Sequence, residues 1–312
     1  MYPKTSHLKK QLKIKLFNRQ TGKYEVENTY KGESLRFLYS TVPGKVFTNS
    51  VLNKHLVSKV YGRAVKSRQS TSIIRKFVKH YDIDLSEVKK PIGSFRSFND
   101  FFIRELTENA RPIDRDPFHL IAPADSRLLV FDLKVTRDFP VKGYWYSMQQ
   151  LVKDKNLALE YDDGWCFIYR LAPTDYHRFC YIDDGTHEKV KRIRGALHSV
   201  NPIALSSINN LLSQNYRMLT NLKTENFGEV LHLEVGALLV GKIVLRNRQS
   251  YTYRRGEEKG WFEYGGSTII QIFRKDSVMP DTDIMNNSLN NIETLVKMGA
   301  KTGQKPVRKR LE

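Results

Sequence analysis

Two textures follow one another along the chain. From about Leu35 to Leu106, apolar residues recur at helical spacing among many lysines and arginines. In LNKHLVSKVYGRAVK, Leu52, Leu56, Val57, Val60, Tyr61 and Ala64 fall on one stripe, while Lys54, Lys59, Arg63 and Lys66 lie on other faces. TSIIRKFVKHYDID repeats the theme with Ile73, Ile74, Phe77, Val78 and Tyr81. SFNDFFIREL then opens with Ser97 and carries Asp100 three residues on, a spacing that resembles a capping box and predicts a helix start. After Pro112 the period changes. LIAPADSRLLVFDL, WCFIYRLA, GEVLHLEVGALLVGKIVL and STIIQIFRK read as strands separated by turns, with ALSSINNLLSQNYRML as a helix among them. From about Asp281 to Gly303 the chain is polar, with one short helical stretch. The expectation is an α+β protein. It comprises a basic, amphipathic helical segment over 1–109, a β-rich catalytic domain over 110–303 and a basic disordered tail over 304–312.

Charge sharpens this division. The formal net charge is +19, and it is not spread evenly. Residues 1–90 hold 20 basic and 6 acidic side chains, residues 301–312 hold 5 and 1, and the long middle is almost balanced. A basic amphipathic end suits an anionic membrane surface, where each Lys or Arg near the headgroups adds about 1 kcal/mol. Nucleic acid is disfavoured because the excess sits at the ends and no recognition motif accompanies it. No apolar run reaches the roughly 20 residues of a spanning helix, and the basic N-terminus lacks the apolar core of a secretory signal. The two cysteines, Cys166 and Cys180, make neither a metal-ligand spacing nor a disulfide framework, which fits a reducing compartment and no metal.

The segment richest in chemistry is GWFEYGGSTIIQIF. Gly265 and Gly266 precede Ser267 and Thr268, and an apolar strand follows. Glycine reaches backbone regions closed to other residues, so a Gly-Ser bond in such a turn exposes its carbonyl to the neighbouring hydroxyl. By itself GGST also describes a plain hairpin turn. No GxSxG elbow is present, which argues against a serine hydrolase.

Read together, NRQTGKYEVE, SFNDFFIREL with RPID, APADSRL, RLAPTDYHRF, VNPIAL, NFGEV, EVGALLVGKI, KGWFEYGGST, and DTDIM with ETLVKMG form an ordered set. With this set the chain, from about Asn18 to Gly303, resembles bacterial phosphatidylserine decarboxylases, most closely the clostridial type. The resemblance implies a carboxy-lyase made as a zymogen. A relay activates Ser267, whose hydroxyl attacks the Gly266 carbonyl. Elimination then yields a large subunit of residues 1–266 and a small subunit of 267–312 that begins with a pyruvoyl group. That covalent cofactor, with no metal, forms a Schiff base with phosphatidylserine and serves as the electron sink for its decarboxylation to phosphatidylethanolamine. The resemblance also implies that Asp125 of APADS is the relay aspartate and that His177 of DYHRF serves decarboxylation. The implied setting is the cytoplasmic side of a bacterial cell membrane, bound peripherally, in phospholipid biosynthesis.

Some positions depart from the family pattern. The pattern continues DYHRFH, and its second histidine is the relay base; here Cys180 occupies that place. An ordinary thiol is mostly protonated at pH 7 and does not accept and return a proton as imidazole does. Cys180 with a stabilised thiolate, or His177, His187 or His198 standing in, would restore a base. The alternative is an unprocessed relative that binds lipid or regulates on the same scaffold. Ser126 replaces the usual glycine after Asp125, and Leu238 and Lys242 replace a threonine and a serine.

Overall fold

The computed structural model describes residues 15–27, 62–135, 138–141, 144–198, 211–237, 242–265 and 267–306. Most of the first amphipathic stripe, from Leu52 to Tyr61, lies outside them, as do Leu238, Gly266 and the tail from residue 307.

In chain order, a hairpin of β1 (Lys15–Asn18) and β2 (Lys23–Val26) precedes two helices, α1 (Thr71–Tyr81) and α2 (Phe98–Phe102). Then come β3 (His119–Ile121), β4 (Ser126–Asp132), β5 (Asp138–Val141), β6 (Tyr144–Ser147), α3 (Met148–Val152) and α4 (Lys155–Leu159). The middle of the chain adds β7 (Trp165–Leu171), β8 (Arg178–Cys180), β9 (Gly185–His187), β10 (Lys191–Ile193), α5 (Leu211–Gln214), β11 (Arg217–Thr224) and β12 (Gly228–Val235). It closes with β13 (Ile243–Leu245), β14 (Tyr251–Tyr253), β15 (Glu258–Phe262), β16 (Ser267–Phe273), β17 (Met279–Pro280), α6 (Thr282–Leu289), β18 (Glu293–Val296) and β19 (Lys301–Gln304).

Among the described residues the main sheet runs β14-β9-β11-β12-β16-β7-β4-β18-β1-β2, with β10 also on β11. Every pairing in it is antiparallel except β1 with β18. β16 lies at its centre, laddered to β12 on one side and β7 on the other. Both faces of this central part are covered. Leu129, Ile168, Leu233, Ile270 and Ile272 pack with Leu151 and Val152 of α3. Val130, Phe167, Tyr169, Ile269 and Phe273 pack on the opposite side with Phe179, Tyr253 and Phe262. Burial on both faces is why STIIQIF is nearly unbroken in its apolar character instead of alternating.

The strands expected from the apolar runs are present, and α1 and α2 fall within the expected helical stretches. In α1, Ile74 and Phe77 are buried, but Ile73 is 43% exposed and belongs to the outer face. α1 ends where Asp82 turns left-handed at φ +49°. Ser97 caps α2 by accepting a hydrogen bond from the Asp100 amide at 3.1 Å, and the Asp100 carboxylate accepts one from the Arg96 amide at 2.9 Å. The expectation of a helical segment over 1–109 needs correction at its start. Lys15–Val26 forms strands, because β1 finds an open partner in β18. β18 and β19 were likewise concealed in a stretch read as polar with one short helix.

A third apolar cluster joins the helical segment to the sheet. Val65, Ile74, Phe77, Phe95, Phe98, Phe101 and Phe102 gather around Tyr264. The Phe98 and Phe102 rings each lie 5.0 Å from that of Tyr264, edge-on.

Candidate active site

Backbone pairing gathers the residues singled out from the sequence at one end of the central strands. Ser267, the first residue of β16, stands opposite Leu171, the last of β7. The next residue, Ala172, offers its carbonyl to His177 Nε2 at 3.0 Å. Cys180 donates its backbone N–H to the carbonyl of Pro123 at 2.9 Å, two residues before Asp125. Thr268 follows Ser267 and pairs with Arg170 and Val235.

The turn ahead of Ser267 is held from outside. Gly265 has φ +137°, a region that side-chain-bearing residues rarely enter. The Tyr264 amide donates to Asn99 Oδ1 of α2 at 3.0 Å, and Glu263 pairs with Lys66 at 2.7 Å. Ser267 and Thr268 are fully buried, and their hydroxyl oxygens have no hydrogen-bond partner among the described residues. A buried polar atom left unpaired costs about 1–3 kcal/mol, so such an orphan calls for an explanation, and a role in chemistry is one.

His177 is also fully buried and stacks on Phe102 with ring centroids 4.0 Å apart. A carbonyl only accepts, so Nε2 carries the proton that bonds Ala172 and Nδ1 presents a lone pair. Nδ1 has no partner. Burial, reinforced by the nearby Arg104 cation, depresses the imidazole to about 3, so it is neutral at physiological pH.

Asp125 does not face a histidine. The Arg111 guanidinium clasps its carboxylate at 2.7–3.0 Å, the Met298 amide donates at 2.9 Å, and Lys297 lies 3.4 Å away. Burial pushes the carboxyl up, but these donors outweigh it and hold Asp125 below the ordinary carboxylate range. Arg111 is steadied in turn by Glu87 at 3.0 Å. Gly299, at φ +84°, lets the chain after Met298 approach so closely that a Cβ there would lie 2.6 Å from the Pro112 carbonyl.

Cys180 is buried, and burial pushes its thiol up to about 12, which Arg255 offsets only in part. A thiol in that state is not a base at neutral pH. Of the other histidines weighed as substitutes, His187 bonds Tyr181 Oη at 3.0 Å and stands among Tyr251 and Tyr253 at the end of β9. The backbone of His198 is fixed by the Asn215 side chain, which also donates to Gly236 at 2.8 Å. No group of three or more His, Cys, Asp or Glu side chains is arranged to hold a metal among the described residues.

Beneath the site runs a buried ionic network that sequence reasoning did not find. Arg170 bonds Glu293 at 2.7 and 2.8 Å and Glu27 at 2.8 Å. Arg127 pairs with Glu27 at 2.8 Å and with Asp175, which also accepts from the Ala172 amide at 2.7 Å. Asn99, Phe102, Arg104 and Arg111 likewise received no role from the sequence. Their motifs, SFNDFFIREL and RPID, were visible, but only the fold brings them to Ser267 and Asp125.

Comparison with known proteins shows the family. Residues 98–304 match the family model described as phosphatidylserine decarboxylase. A phosphatidylserine decarboxylase proenzyme of Clostridium perfringens (strain SM101 / Type A) is 41% identical over 293 residues, covering 94% of this chain and 100% of the relative. One from Clostridium tetani is 42% identical over 94% of this chain and 98% of its own length. A phosphatidylserine decarboxylase proenzyme 2 of Clostridium acetobutylicum is 40% identical, with 94% and 99% covered. With its motifs in order and relatives of this similarity aligned along nearly its whole length, the chain belongs to the phosphatidylserine decarboxylase family.

Proposed function

We propose that this protein is a phosphatidylserine decarboxylase that matures by cutting itself between Gly266 and Ser267. The observation that carries the reading is the Ser267 hydroxyl: buried, unpaired, and placed directly after the Gly265 turn at the head of the central strand. In the first stage Ser267 Oγ attacks the Gly266 carbonyl and the Gly266–Ser267 amide becomes an ester. Loss of the Ser267 α-proton expels the Gly266 carboxylate and leaves dehydroalanine, which water converts to a pyruvoyl group with release of ammonia. His177 Nδ1 is the acceptor we assign to the hydroxyl proton, because it is a free lone pair in the same cluster and Cys180 is held as a thiol. Burial makes protonated His177 a strong acid, so it returns the proton readily. Asp125 holds Arg111 and the Lys297–Met298 turn against the site.

The residues present fit the pyruvoyl group. The residue that becomes it, Ser267, carries a hydroxyl with no side-chain bond among the described residues, next to a second orphaned hydroxyl on Thr268. When formed, its carbonyl supplies the electron sink that carbon dioxide loss requires. Around it, Phe102 and Tyr264 exclude water, and His177 moves a proton at Nδ1.

Access to phosphatidylserine requires contact with a bilayer. No helix among the described residues is long and apolar enough to cross one. Peripheral binding on the cytoplasmic face is supported by the basic N-terminal third. It is also supported by a surface groove of 870 Å³ lined by Lys66, Arg68, Arg75 and Arg96 with Thr71 and Ser72.

Intact-mass measurement tests the central step. The expected result is two fragments, residues 1–266 and 267–312, the smaller with a blocked N-terminus, and a single full-length mass for Ser267→Ala. An uncut wild-type chain without a carbonyl reactive toward hydroxylamine would refute it and leave the unprocessed lipid-binding relative. Sedimentation with anionic vesicles, lost at high salt, tests the membrane component.

A further inference from the structure

Among the described residues, Arg104 is the one arginine at the site whose charge is left unanswered. It follows α2, is only 6% exposed, and its Nε and Nη1 have no hydrogen-bond partner among the described residues. No carboxylate among the described residues lies within salt-bridge distance of it. Its guanidinium instead lies over the Phe101 ring, 5.0 Å from the centroid. Burial of this kind is costly for an unpaired cation. The carboxylates whose fields reach it, Asp125 and Asp175, are already committed, the first to Arg111 and Lys297 and the second to Arg127. The chain around Arg104 is also tied to the reacting groups. Phe102 stacks on His177, and Arg178 Nε donates to the Ile103 carbonyl at 2.9 Å.

We propose that Arg104 is a substrate-binding residue that receives the phosphodiester of the phospholipid headgroup. This rests on the decarboxylase reading and deepens it. The substrate offers two anions, a carboxylate and a phosphodiester. The carboxylate loses its charge in the reaction, so a guanidinium locked onto it would stabilise the ground state more than the transition state and slow the step. The phosphodiester is unchanged throughout. Gripping it fixes the distance from headgroup to reacting carbon and spends remote binding energy on orientation. The guanidinium edge that Nε shares with Nη2 is a planar fork able to match two phosphate oxygens, and Nη1 adds a donor on another edge, which an ammonium would not do as well.

Calorimetric titration of the uncut Ser267→Ala chain measures this apart from maturation. The ligands are glycerophosphoserine, glycerophosphoethanolamine, free serine and inorganic phosphate. Both glycerophosphodiesters are expected to bind, and Arg104→Met should weaken both at least tenfold while leaving free serine unaffected. Arg104→Lys, which keeps the charge without the fork, should fall between. The ligand-free melting temperature of Arg104→Met should be unchanged or higher, since an unpaired buried charge has been removed. The proposal is overturned by undetectable binding of the diesters to the parent, or by equal affinity of Arg104→Met and parent for them. It is also overturned by a loss confined to ligands bearing a carboxylate, by inorganic phosphate binding as tightly as the diesters, or by a lower ligand-free melting temperature. Failure of the decarboxylase reading shows elsewhere, as a wild-type chain that stays uncut and forms no ethanolamine phospholipid from vesicles.

Discussion

Exchanging Cys180 for histidine and, separately, for alanine separates two accounts of how Ser267 loses its proton. With its thiol pushed to about 12, Cys180 is ionised in only about one molecule in 10⁵ at pH 7. It therefore contributes nothing as a base, and Cys180→Ala should self-cleave within about threefold of the parent. A histidine at 180 restores an acceptor whose neutral form is favoured by the same burial, and a positioned base is worth about 10²–10⁴-fold. The site is full, at 1% exposure, so the larger ring costs about 1–3 kcal/mol of overpacking, which sets how much of that gain survives. The assay is cell-free synthesis with a pulse of label, followed by the decay of full-length chain into fragments 1–266 and 267–312 from pH 6 to 9. Histidine should speed the decay by at least tenfold. The parent should show no inflection near pH 6.5, because His177 stays neutral across that range. Loss of cutting in a folded Cys180→Ala would refute the reasoning and make the thiolate the base. A folded Cys180→His that cuts no faster would show that position 180 does not reach Ser267.

Three other perturbations follow from the contacts. Glu293→Ala leaves the buried Arg170 with Glu27 as its remaining carboxylate and should cost about 1.5–3 kcal/mol, read as a lower urea midpoint, with Glu293→Gln milder. Asn99→Ala leaves the Tyr264 amide unpaired; it should cost about 1–3 kcal/mol and slow self-cleavage at least tenfold, seen as full-length chain in folded protein. The protein should also be acid-labile. Burial depresses His177, His187, His198 and His232, so on unfolding each gains a proton that the fold withholds, and stability falls as pH drops below about 6.5. Asp125 adds a second loss only as pH falls through its ordinary range near 3.8 and below. Thermal melts from pH 8 to 4 should therefore decline well before the carboxylates titrate.

The central strands were legible because their composition matches their environment. STIIQIF and WCFIYRL are apolar on successive residues, and both faces of β16 and β7 are covered. The helix over 71–81 announced itself by period, yet Ile73 shared the stripe without sharing the burial. Ile74 and Phe77 are buried in the aromatic cluster, with Val78 and Tyr81 partly buried against it. The β1–β2 hairpin was not readable. Its strands are only four residues long, Tyr24 and Val26 face outward, and their order depends on β18, nearly the whole chain away. The same reason hides the grip on Asp125. Arg111 precedes it by 14 positions, whereas Met298 follows it by 173, and no local pattern couples the two. GGST and DYHRF pointed to the candidate residues Ser267 and His177, but the contacts contributed by Asn99, Phe102 and Arg104 exist only once α2 is folded against Tyr264.

The position of β16 bears on what a scission would do to the molecule as a whole. With a ladder on each flank, the polypeptide downstream of residue 266 is woven into the middle of the sheet and not hung on its rim. It also supplies β18, which supports the β1–β2 hairpin. Two pieces created there have no route apart short of global unfolding. They would travel as one particle under native conditions, and separately expressed pieces should reassemble only by folding together.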